Sequence, residues 1–103
     1  MLDPGSSQEM KCYSKYDMVK VKVTIEEHFY ILSRYMISRT LKMIKVKEND
    51  AIKIALEIKK HLVQNNLHTI THHDMEALIF DILKKHNYGT KYEERYKMIS
   101  RFH

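Results

Sequence analysis

The sequence predicts a mainly α fold, a four-helix bundle preceded by a small β element. Three observations predict it. Glycine (2) and proline (1) are scarce among 103 residues, and Pro4 and Gly5 both stand at the extreme N-terminus. With many Lys, Glu, Ile, Leu and Met, such a chain favours helices. Apolar residues recur at three- and four-residue spacing in four separate segments. Ahead of these, Met18–Thr24 alternates instead, with Val19, Val21 and Val23 on one face and Lys20 and Lys22 on the other. Alternation with β-branched residues is the pattern of a half-buried strand.

Each element has a local reason. Residues 1–12 carry no periodicity and read as a flexible tail or tag remnant; residues 13–103 read as a single domain. The Val-rich strand needs a partner, which Tyr13–Tyr16 or another chain would supply. Thr24 is placed to cap a first helix over about Ile25–Ile44, with Glu27 completing a capping box. Its stripe is Phe29, Leu32, Met36, Ile37, Leu41 and Ile44, with Ser33, Arg34, Ser38 and Arg39 on other faces. A turn over Val46–Asp50 leads to a second helix over about Asp50–Gln64. There Ala51, Ile54, Ala55, Ile58 and Leu62 face inward, and Lys53, Glu57, Lys59 and Lys60 face out. Asn65-Asn66 ends it, since Asn tolerates the left-handed conformation. Leu67–Ile70 reads as a connector. Thr71 then caps a third helix over about His72–Lys85, with Asp74 at its third position. Asn87-Tyr88-Gly89 breaks it, and a fourth helix starts near Thr90 and buries Tyr92, Tyr96, Ile99 and Phe102.

Composition narrows the function. One cysteine, Cys12, rules out an internal disulfide and zinc sites built on two or four cysteines. No apolar run approaches the roughly 20 residues of a membrane span, and the N-terminus lacks the apolar stretch of a signal peptide. The expected setting is cytoplasmic, without membrane partners. The formal charge of +5 suits anionic partners, although Lys spread along the whole chain also reads as an ordinary solvated surface. His68, His72 and His73 cluster around one helix start but lack an obvious third ligand, because Asp74 is better used as a cap; no metal is predicted. Two glycines cannot build a phosphate-cradling loop, and no nucleophile sits beside a His–carboxylate pair. The chain reads as non-catalytic.

A basic set remains. Lys20 and Lys22 share the polar face of the strand, and Arg39 and Lys42 are three apart on a helix, with Arg34 nearby. If the strand folds over the start of the bundle, Lys20, Lys22, Arg39 and Lys42 surround a triphosphate through charge and forked hydrogen bonds. The plainer reading is that the lysines protect an edge strand from aggregation. A competing reading is weak RNA binding, with Tyr13, Tyr16, Tyr30 and Tyr35 stacking bases.

Ser38-Arg39-Thr40-Leu41, then Asp50–Ile58, then Ile70-Thr71 before Asp74–Leu78, resembles the ATP-cone domain, the nucleotide-sensing module of ribonucleotide reductases. The run Arg34–His103 is similar to the N-terminal region of proteins related to 2-phosphoglycerate kinase, in which a segment like Arg95–His103 leads into a P-loop kinase domain. The resemblance spans about two-thirds of the chain and includes no catalytic residue. Where typical ATP-cones carry a Lys-Arg-Asp-Gly type turn, this chain has Met18–Thr24. The resemblance implies ATP or another nucleotide as ligand, a C-terminal P-loop kinase domain as partner in a longer parent chain, and a regulatory or scaffolding role. The final helix, which stops without a glycine signal, suits that expectation. The alternative is an interaction or homo-oligomerisation module that binds no nucleotide, using the face of Tyr92, Tyr96 and Phe102.

Overall fold

A computed structural model describes residues 15–100. The tail assigned to residues 1–12, Cys12, Tyr13 and Phe102 lie outside the described residues. The architecture is α/β, which corrects the expectation of a mainly α four-helix bundle. A 3-10 turn over Lys15–Met18 leads into β1 (Val21–Ile25), β2 (His28–Leu32), α1 (Arg34–Met43), α2 (Glu48–Gln64), β3 (Thr69–Thr71), α3 (His72–Lys85) and α4 (Thr90–Ser100). The strands form one mixed sheet in the order β2-β1-β3. β1 runs antiparallel to β2, with Val21 opposite Leu32 and Val23 opposite Tyr30, and parallel to β3, with Val23 opposite Ile70.

The first helix is where sequence and structure part. Ile25–Leu32 is not helical. Glu26 takes φ 53° in a two-residue turn between Ile25 and His28, and the chain doubles back as β2. Thr24 is therefore a strand residue, and Glu27 belongs to a turn rather than a capping box. Ser33 is the true N-cap of α1: its Oγ accepts from the Met36 amide at 3.0 Å. The partners of β1 are β2 and β3; of the expected partner segment Tyr13–Tyr16, Tyr16 lies in the 3-10 turn and Tyr13 and Ser14 fall outside the described residues. The connector before α3 contains β3, and the Lys22 amide donates to the His68 carbonyl at 2.8 Å.

The alternation read in β1 does set its faces. Val21 and Val23 are buried and Lys22 is exposed. Leu32 and Ile70 continue the inner face, while Phe29 and Ile31 stand with Lys22 on the outer one, where the Lys22 ammonium lies 4.7 Å from the Phe29 ring centre. The core fills the space between the sheet and the helices. It takes Ile37, Leu41 and Ile44 from α1, Ala51, Ile54, Ala55, Ile58 and Leu62 from α2, and Met75, Ile79, Ile82 and Leu83 from α3. The two alanines on α2 let α1 lie close against it. Glu57 of α2 accepts from the Lys85 ammonium and contacts the His86 ring at 2.9 Å, fastening α2 to the end of α3. These bonds, that from Lys85 first, hold the Glu57 carboxyl below its ordinary range.

Three helices end in the same way. Val46, Leu67 and Tyr88 each donate an amide back to a carbonyl five residues earlier, on Leu41, Leu62 and Leu83. The residues before them, Lys45, Asn66 and Asn87, have φ of 80°, 57° and 69°. This is the Schellman closure, which glycine ordinarily serves. Here Asn fills two of the left-handed positions and Lys the third. A lysine gains nothing there from a side-chain hydrogen bond and bears the Cβ clash. Lys45→Gly is expected to raise stability by about 0.5–1 kcal/mol, read as a higher urea midpoint at unchanged slope; an unchanged or lower midpoint would contradict the assignment.

α2 begins on Lys47, which offers no side-chain cap. The Tyr88 hydroxyl supplies the missing partner from across the fold. It accepts from the Lys47 amide at 3.4 Å and donates to Asp50 at 2.6 Å. The bond to Asp50 holds the proton on Tyr88 and raises its pKa. Arg95 does the same service at the end of α1, donating to the Ile44 carbonyl at 3.0 Å.

Candidate functional site

The inner face of the sheet does not meet the helices everywhere. Between β1, β2, α1, α3 and α4 lies a cavity of about 550 Å³. Its walls are mainly apolar, with Met36, Met43 and Met75 among them, and they suit a planar or irregular ligand, because the thioether chain adapts its shape. Five polar side chains reach it from four elements: Tyr30 from β2, Arg39 and Thr40 from α1, His72 from α3 and Tyr96 from α4; the Thr40 hydroxyl is spent on the Met36 carbonyl. A volume in this range, with apolar walls and a few convergent polar groups, is typical of small-molecule sites.

The polar groups differ in state. Tyr30 stands 3.4 Å from His72 Nδ1, and His72 Nε2 lies 3.2 Å from a Glu76 oxygen. A Tyr–His–Glu line thus starts at the wall with Tyr30 and His72 and ends on Glu76 behind it. Burial, and then the Glu76 charge, raises the Tyr30 pKa. Tyr96 is only 5% exposed and packs edge-on against Phe80. Burial keeps its hydroxyl protonated far above the ordinary tyrosine range. Among the described residues that hydroxyl has no hydrogen-bond partner. A buried donor without an acceptor is uncommon in proteins and costs about 1–3 kcal/mol. Arg39 is exposed, so it stands at the mouth of the cavity and not inside it.

The four basic residues read from the sequence do not gather at one place. Arg39 lines this cavity. Lys42 is exposed one helical turn further along α1 and lines neither this cavity nor a second one beside the 3-10 turn. Lys22 projects from the outer face of the sheet, toward Phe29. Lys20 lines the second cavity. The spread follows from the hairpin. With Ile25–Leu32 folded as turn and strand, β1 does not lie over the start of a long first helix, so Lys20 and Lys22 are parted from Arg39 and Lys42. The tyrosines proposed for base stacking are also parted: Tyr30 faces the first cavity and Tyr35 lines the second. Tyr96, read as a buried residue of the last helix and, in the alternative, as part of an interaction face, is buried and forms a wall of the first cavity.

Sequence reasoning missed Tyr30, His72 and Tyr96 as members of one site. Their only shared signal is a polar tip on a residue at a core position, which no spacing rule joins. Among the described residues no group of three or more His, Cys, Asp or Glu side chains is arranged to hold a metal ion, and no helix is long and apolar enough to cross a membrane. No family model matches the chain, nor does any curated protein or solved structure.

Proposed function

We propose that this chain is a non-catalytic nucleotide-sensing domain, a regulatory unit of a kinase-related protein, whose ligand seats its base in the 550 Å³ cavity and extends its phosphates past Arg39 toward Lys42. The observation that carries this reading is the buried Tyr96, which lines a cavity large enough for a nucleobase and whose hydroxyl has no hydrogen-bond partner among the described residues. A heteroaromatic ring supplies the acceptor it lacks, and Tyr30 and His72 offer ring faces and further polar atoms. Arg39, at the mouth, is placed for forked contact with a phosphate. The resemblance of Ser38–Leu41 and Asp50–Ile58 to ATP-cone segments supports the same ligand class. Lys20 and Lys22 have no part in this site.

Titration with ATP at low salt tests the reading. Amide resonances of Arg39–Met43 and His72–Met75 are expected to shift saturably. Arg39→Ala is expected to weaken binding about tenfold, on the order of one charge-assisted contact, and Tyr96→Phe several-fold. Shifts confined to Lys20 and Lys22, or none at all, would defeat it.

A further inference from the structure

The second cavity, about 430 Å³, lies where the 3-10 turn, the end of β2, the start of α1 and the middle of α2 meet. It shares only Leu32 with the first. Lys59 of α2, expected on the outer face of its helix, is instead 2% exposed and lines this cavity. The reason is its place in the stripe: it follows Ala55 by four residues and precedes Leu62 by three, both buried positions. Among the described residues its ammonium makes no hydrogen bond and no carboxylate reaches it at ion-pair distance. A buried cation is normally paired or bonded, so this one calls for an explanation.

Asp17, whose charge acts on Lys59, makes no ion pair with it. Asp17 accepts from Arg34 Nε at 3.0 Å and from a terminal Arg34 nitrogen at 2.8 Å, so both its oxygens are engaged by the guanidinium and it acts on Lys59 through its charge alone. Three cations, Lys20, Arg34 and Lys59, line the cavity against that one carboxylate. The cavity also holds the N-terminal end of α1. Ser33 and the first two helical residues, Arg34 and Tyr35, form part of its wall, and the first turn carries no acidic side chain. The first amides of a helix lack intrahelical acceptors, and the helix dipole makes that end attractive to anions. Val19, Ile31 and Leu32 supply an apolar side.

We propose that this second cavity is an anion site for a phosphoryl group, held between the Lys59 ammonium and the N-terminal turn of α1, with Lys20 at the rim. Its volume exceeds what a bare phosphate fills, and its apolar wall suits the carbon portion of a small phosphomonoester. Burial lowers the Lys59 pKa, Asp17 opposes that effect and Arg34 adds to it; a bound oxyanion acts as Asp17 does, in favour of the charged form. The site is independent of the first cavity and stands whether or not a nucleotide binds there.

The whole chain is titrated with inorganic phosphate and, separately, with glycerol phosphate at constant ionic strength set by chloride, while the amides of Ser33–Met36 are followed. Saturable shifts are expected with both probes. Tighter binding of glycerol phosphate identifies the ester as the better ligand, and equal binding identifies the phosphoryl group alone as what is read. Lys59→Met, which keeps the volume and removes the charge, is expected to weaken binding at least tenfold, and Lys59→Arg to retain most of it. Lys20→Gln, at an exposed position that does not affect folding, is expected to weaken it two- to threefold and decides the matter if Lys59→Met does not fold. Shifts that fail to saturate, or affinity unchanged in these neutral variants, would overturn the proposal.

Discussion

Ile58→Ala is expected to lower the unfolding free energy by about 3–4 kcal/mol, the range measured for removing a large aliphatic side chain from a packed interior. Ile58 is 0% exposed and lies on the buried stripe of α2 between Ile54 and Leu62. It borders neither cavity, so no adjacent space can be taken up by neighbouring side chains moving inward. The loss therefore combines the transfer term with a full cavity term. For a domain of this size that corresponds to a fall in Tm on the order of 15 °C. Met98, 63% exposed on α4, provides the contrast: Met98→Ala is expected to change stability by less than about 0.5 kcal/mol. Equal effects at the two positions in urea denaturation would mean that α2 is not the centre of the core.

Arg34→Ala is the second large effect, at about 2–3 kcal/mol. Arg34 is buried, and its two bonds to Asp17 tie the 3-10 turn to the start of α1. Truncation removes both charge-assisted bonds and leaves the Asp17 carboxylate in a partly buried position. Lys59 lies within electrostatic reach of both members of the pair, attracted by Asp17 and repelled by Arg34. Once Arg34 is gone, Lys59 is free of the repulsion and offsets part of the loss. The same truncation is therefore expected to cost more in a Lys59→Met background than in the native chain. A double-mutant cycle on urea midpoints measures the difference, and simple additivity would show that Lys59 does not sense the pair.

What could be read from the sequence was what local chemistry dictates. The start of α3 is a case: Thr71 caps it and accepts from the Asp74 amide at 3.1 Å. The end of α2 is another, because the left-handed Asn66 and the Leu67 amide that closes back on Leu62 are neighbours in the chain. The hairpin was not legible. Its turn is Glu26-Glu27, without the Gly, Asn or Asp that ordinarily marks a two-residue hairpin, and two glutamates after a threonine imitate a helix start. Phe29, Leu32 and Met36 happen to fall at helical spacing, although Phe29 is 59% exposed on the outer face of the sheet. β3 has three residues and pairs with a strand on the far side of two helices in sequence, so no window contains its reason for being a strand. The first cavity was hidden for the same cause, since its polar members come from four elements. Lys59 was hidden differently: its position in the α2 stripe could be read, but lysine is so seldom buried that charge outweighed periodicity.

The parallel pairing of β3 with β1 also fixes an order of assembly. A β1–β2 hairpin can close by itself, because its strands are joined by two residues. β3 can add to the other edge only after α1 and α2 have crossed over and brought the chain back to Lys22. The ring of backbone bonds that includes the Lys22 amide is thus completed late, after the entropy of the long loop has been overcome. The N-terminal hairpin and the later helices consequently mature as one cooperative body, with the three-residue β3 acting as its clasp.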